Sequence, residues 1–95
     1  MVNKKINGIT EKEVLEKYGN PQKESIIKLS KGIKLHEYQS NLYSIYPNLI
    51  QTDTVEIKEL FWQMKNGDKM AIWLENKERD WKVIDNLKWS KDIKF

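Results

Sequence analysis

The sequence predicts an α+β domain, a short N-terminal helix packed on a mostly antiparallel sheet of about four to six strands. Two observations carry that prediction. A full set of helix start and stop signals stands at residues 9–21, and the chain beyond it reads as short strands separated by turn signals. With 95 residues, the chain makes a single domain over 1–95, with 1–8 expected as a flexible N-terminal segment.

The helix comes first. Thr10-Glu11-Lys12-Glu13 is a capping box, in which the Thr10 side chain and the Glu13 carboxylate each satisfy an orphan backbone N–H. Ile9 before the cap and Val14 after it form the matching hydrophobic staple. Val14, Leu15 and Tyr18 supply an apolar stripe, Gly19 an αL cap, and Pro21 bars continuation. A helix of about nine residues is unstable alone, so its stripe must dock on the sheet.

Strands are expected over Ser25–Leu29 and Ile33–Tyr38, joined by a hairpin turn at Ser30-Lys31-Gly32. Leu42–Tyr46 has strand-like composition but ends at Pro47, which limits it to an edge or an irregular stretch. Residues 47–54 read as loop. Val55–Met64 reads as a long strand whose apolar phase changes, so a bulge is expected near Lys58-Glu59. Asn66-Gly67 favours a two-residue type I′ hairpin, which would set Trp62 opposite Ala71, Leu60 opposite Trp73 and Phe61 opposite Ile72. That hairpin is apolar on both faces, and one helix covers only one. The second face is then packed by the N-terminal segment or left exposed. After a turn at 76–80, Trp81, Val83, Leu87 and Trp89 share one parity, the alternation of a half-buried strand, and Ile93 and Phe95 continue it.

Composition narrows the function. Lys and Arg total 17 against 14 Asp and Glu, a net charge of +3 with the signs interleaved, which reads as a solvated surface. Arg79 is the only Arg, so the planar fork that reads phosphates and base edges is scarce, and nucleic acid is not the favoured partner. The absence of Cys excludes disulfides, thiolate chemistry and Cys-ligated zinc. His36 is the sole His and sits beside Glu37 in an expected strand, where it faces solvent. Glu56 and Glu59, three apart in a strand, read as solvated positions. No nucleophile elbow, phosphate-cradling Gly loop or metal-ligand spacing occurs, so neither catalytic residues, nor a metal, nor a cofactor is expected, and the chain reads as no enzyme. Of the four Trp, Trp62 and Trp81 are favoured as core. Trp62, Trp73 and Trp89 are the candidate interface residues, through whichever lies off the helix-covered face.

Gly8-Ile9-Thr10, Val14 and Tyr18-Gly19-Asn20-Pro21 together resemble the opening of the SmpA/OmlA (BamE-like) outer-membrane lipoprotein family, over residues 8–21. Downstream the likeness is one of strand order and a Trp-rich ending. That family has two helices before its sheet, whereas here the segment after Pro21 reads as strand. The resemblance implies a lipid-anchored envelope protein whose leader and lipidated Cys were removed. It would be extracytoplasmic, in the periplasm or at the outer membrane, touching the membrane only through that anchor, and otherwise it is cytoplasmic. It also implies an accessory scaffold or an inhibitor of a partner enzyme. The expected function is therefore a noncatalytic protein-binding module of a bacterial cell envelope, the soluble part of a lipoprotein whose partner is another protein. The rival readings are an inhibitor or immunity-type protein binding one enzyme, a cytosolic nucleic-acid-binding domain, and a small enzyme or ligand carrier with a cone-like sheet.

Overall fold

A computed structural model describes residues 4–30, 33–47 and 54–92. Its elements are α1 (Glu11–Tyr18), β1 (Lys23–Leu29), a one-turn α2 (Leu42–Ile45), β2 (Val55–Gln63), β3 (Lys69–Lys77) and β4 (Asp80–Trp89), with 3-10 turns at Lys4–Ile6 and Glu37–Gln39. The four strands form one antiparallel meander in the order β1-β2-β3-β4. The fold is α+β and mostly sheet, as the sequence predicts. No helix among the described residues is long and apolar enough to cross a membrane.

Helix α1 is built from the predicted signals. Glu13 N–H donates to Thr10 Oγ1 at 3.3 Å, and Thr10 N–H donates to Glu13 Oε1 at 3.1 Å. Val14 is fully buried and shares a cluster with the staple residue Ile9. Gly19 closes the helix through its N–H to the Leu15 carbonyl, but at φ 78°, ψ −170°. That is not the expected αL cap; it lies in a region open essentially to Gly. The segment before α1 contains a 3-10 turn, and its Ile6 is buried in the same cluster.

The sheet has two covered faces. On the helix face lie Leu60, Trp62, Met70, Ile72, Leu74 and Val83, packed against Ile6 and Val14. On the other lie Leu29, Ile57, Ala71, Trp73 and Trp89, packed against Leu42, with Ile33, Leu35, Tyr38, Tyr43, Ile45 and Tyr46 around them. That second lid is the segment 33–47, which we call the strap. It is not the N-terminal segment, which joins the helix face.

Several expectations are corrected here. Ile33–Tyr38 is not a strand: residues 33–36 have no regular secondary structure, and the chain then turns at Glu37–Gln39. Strand β1 instead pairs with β2, from Lys23↔Phe61 to Leu29↔Val55. The hairpin turn expected at Ser30-Lys31-Gly32 lies partly outside the described residues, as do most of the 47–54 loop and the continuation through Ile93 and Phe95. Leu42–Ile45 is a helical turn rather than strand. Strand β2 has no bulge at Lys58-Glu59. Its apolar phase changes because it is buried on both faces, through Ile57 on one and Leu60 and Trp62 on the other.

The bulge is in the last hairpin. Trp73 pairs with Asp85 and Leu74 with Val83, leaving Ile84 unmatched. The extra residue breaks the predicted parity of β4: Trp81 and Val83 pack on the helix face, Leu87 and Trp89 on the strap face. The turns are also exchanged. Gly67 has φ 92° and its N–H bonds Met64, while Met64 N–H bonds the Asp68 carbonyl, so Lys65-Asn66-Gly67 is a three-residue loop. The two-residue turn with positive φ at both positions, as type I′ requires, is Glu78-Arg79, at 53° and 75°.

Candidate functional site

The slipped hairpin register creates the most unusual feature of the strap face. With Gln63 opposite Lys69, Trp62 faces Met70, Phe61 faces Ala71, Leu60 faces Ile72, and Glu59 lies beside Trp73. A one-residue slip in register exchanges the faces of every pair, so Trp73 sits with Glu59 rather than with Leu60. Glu59 is therefore buried, at 6% exposure, and is not the solvated position expected; Glu56 is exposed.

A buried carboxylate must be satisfied by donors. Trp73 Nε1–H and Gln39 Nε2–H both donate to Glu59 Oε1, at 2.9 and 2.7 Å, and Tyr38 O–H donates to Oε2 at 3.0 Å. Two of the three donors come from the strap, so this carboxylate fastens the lid. The pattern repeats along the face. Asn41 donates to Asp85, which is 5% exposed, and Tyr46 O–H donates to Glu75 Oε2 at 2.8 Å. Burial first, then the Glu59 charge and the bond to it, push the Tyr38 hydroxyl well above the ordinary tyrosine range, against a smaller opposing effect from Gln39. Burial, then the bond to Glu75 and its charge, act the same way on Tyr46.

Above Glu59 opens a cleft of about 660 Å³, lined by Gln22, by Lys23, Glu24 and Ser25 of β1, Tyr38 of the strap, Glu59 and Phe61 of β2, Lys69 of β3 and Trp89 of β4. It falls within the range of about 300–1,000 Å³ typical of ligand sites. Its walls are aromatic: Trp89 lies 5.2 Å from Tyr38 and 6.3 Å from Phe61 between ring centroids. His36 stacks on Tyr38 at 5.8 Å, exposed at the head of the 3-10 turn rather than on a strand. Gln22 spends its amide on the backbone of Gln63, donating to the carbonyl at 3.1 Å and accepting from the N–H at 2.8 Å. The side chains of Lys23 and Lys69 have no hydrogen-bond or ion-pair partner among the described residues.

Of the candidate interface residues, only Trp89 reaches the cleft, at 7% exposure. Trp73, at 1%, lies beneath it and acts through Glu59. Trp62 is in the core of the opposite face, tilted against Tyr18 at 6.0 Å, with its buried indole N–H unpartnered among the described residues. Sequence reasoning missed Glu59, Tyr38, Phe61 and the two lysines. One signal was present: Glu59 interrupts the same-parity row Val55, Ile57, Phe61, as a buried, satisfied carboxylate does.

Comparison with known protein families, with characterised proteins and with solved structures finds no match to this chain.

Proposed function

We propose that this chain is a noncatalytic protein-binding module that docks a partner segment in the cleft beneath Tyr38, taking an apolar side chain that is flanked by an acidic residue. The observation that carries this reading is the make-up of the cleft, in which Tyr38, Phe61 and Trp89 line the same space as Lys23 and Lys69, whose ammonium groups have no partner among the described residues. Aromatic walls bury an apolar side chain and the ammonium groups favour an acidic neighbour. Binding is favoured over chemistry because Glu59 spends its oxygens on the three hydrogen bonds that fasten the strap.

The motif at Gly8–Pro21 supports a bacterial envelope setting, with this domain as the soluble part of a lipoprotein. Each half of the proposal has its own test. Immobilised protein should retain an envelope protein from its own cells' lysate, and K23E/K69E, folded and equally stable, should lose it. Retention of nothing, or equal retention by both, overturns the docking site. For the setting, intact mass after fractionation should find a lipidated N-terminal Cys in the membrane fraction. A soluble product beginning at Met1 removes the envelope half and leaves the docking half standing.

A further inference from the structure

The two outer edges of the sheet are not alike. At β4 the edge is occupied: Gly8 N–H donates to the Val83 carbonyl at 2.8 Å, Val83 N–H to the Ile9 carbonyl at 2.9 Å, and Thr10 bridges Lys82. At β1 no strand among the described residues pairs with the outer edge. An open edge presents a row of backbone donors and acceptors, ready to template another strand. Most of β1 is exposed, and Ile26, at 46%, is the exposed large hydrophobic residue of the described chain.

The residues around Ile26 say which strand fits. On the helix-side surface of β1, Glu24 and Lys28 stand two positions before and two after Ile26, with opposite charges at equal distances. An antiparallel copy of β1 related by a two-fold axis at Ile26 sets Ile26 on its own counterpart. It also sets Glu24 against Lys28 of the copy, and Lys28 against its Glu24. All the helix-side surface pairs around the axis are then apolar on apolar or opposite in charge. A guard against edge pairing places an unmatched charge in the strand; here the charges are matched by the strand's own reverse.

We propose that β1 is a self-association edge, at which two copies join antiparallel about Ile26 into one continuous eight-stranded sheet. The symmetry is isologous, as in most homodimers. Both clefts then open on the same side of the joined sheet. Gln22–Ser25, which wall each cleft on its β1 side, come to border the C-terminal end of the copy's β1. This inference is independent of what the cleft binds.

The test is a charge exchange read by sedimentation velocity over a wide range of protein concentration. The wild-type chain should form a reversible dimer. E24K and K28E each set like charges together twice and should weaken association at least tenfold. The double variant E24K/K28E restores both attractive pairs and should recover wild-type association, while I26K should stay monomeric. Circular dichroism spectra of all variants should match the wild type. Melts should be compared at concentrations where the wild type is monomeric, because dimerisation itself raises them. There, loss of the 4.0 Å contact between Glu24 and Lys58 should lower the E24K melt only slightly. A wild-type chain that stays monomeric up to about millimolar concentration overturns the proposal. So does a dimer indifferent to the single exchanges, or one that the double exchange fails to rescue.

Discussion

The two faces of this sheet are closed by different physics. The helix face is sealed by fit, with Val14 and Ile6 set into an apolar field of Leu60, Ile72, Leu74 and Val83. Its polar fastening stands at the rim, where Lys58 reaches Glu11 at 2.9 Å and lies 4.7 Å above the Trp81 ring. The strap face adds bonds to its apolar packing around Leu42: Tyr38 and Gln39 on Glu59, Asn41 on Asp85, Tyr46 on Glu75. Each is a neutral donor to a carboxylate, roughly twice as strong as a neutral pair when the acceptor is ionised. An apolar lid tolerates any side chain of suitable volume. A lid held by acceptors tolerates only groups that keep accepting.

The largest effect expected from this contrast is on the fitted face. Leu60→Ala removes a fully buried side chain and should lower unfolding free energy by about 3 kcal/mol in urea titration. A loss below about 1 kcal/mol would mean that this face is not sealed by fit. On the bonded face Glu59→Ala should cost about 2–3 kcal/mol, because Trp73 Nε1–H and Gln39 Nε2–H are left buried without an acceptor. Glu59→Gln should cost under about 1 kcal/mol. Its amide oxygen can accept the same two bonds while its NH₂ donates to Tyr38. Equal losses in the two variants would show that the charge, not the acceptor, holds the strap.

Alkali separates the faces further. The folded pKa values of Tyr38 and Tyr46 are raised, so their stabilising effect is complete below the ordinary tyrosine pKa of about 10 and is lost as pH rises above it. Stability should therefore fall with pH in that range, and Y38F/Y46F should flatten the fall. An unchanged slope would detach the two hydroxyls from the stability of the strap. The smallest effect is a control that lies off both faces. E78N/R79G relieves two non-glycine residues at positive φ and should raise stability by about 0.5–1 kcal/mol, with no change in strap or cleft readouts.

How legible each face is in the sequence follows from the same contrast. Fit leaves periodic traces, so the capping box, the staple and the Val14 stripe lead directly to α1 and the face it covers. Bonds leave none. Ile33 and Leu35 alternate like a strand because alternation reports which side chains turn inward, not where the backbone hydrogen bonds go. Asn66-Gly67 marks the right hairpin and the wrong loop. Asn66 Oδ1 accepts from Asp68 N–H at 3.0 Å, which favours a longer turn than its usual two-residue role. That one residue decides whether Trp73 meets Leu60 or Glu59, and with it the whole candidate site. The bulge at Ile84 divides the parity of β4 in the same way, carrying Trp89 to the cleft and leaving Trp81 behind.

The strap has a consequence in time. β2, β3 and β4 follow one another through tight hairpins, whereas β1 reaches β2 only after residues 30–54, which contain the strap. Short loops close early and long ones late, so the three-strand meander should be in place before β1 and its lid arrive together. Read backwards, the same order describes how the native molecule opens. Amide exchange should find β1 and the strap releasing as one unit at lower free energy than the meander. The cleft and the free edge would then belong to the last part to fold and the first to let go.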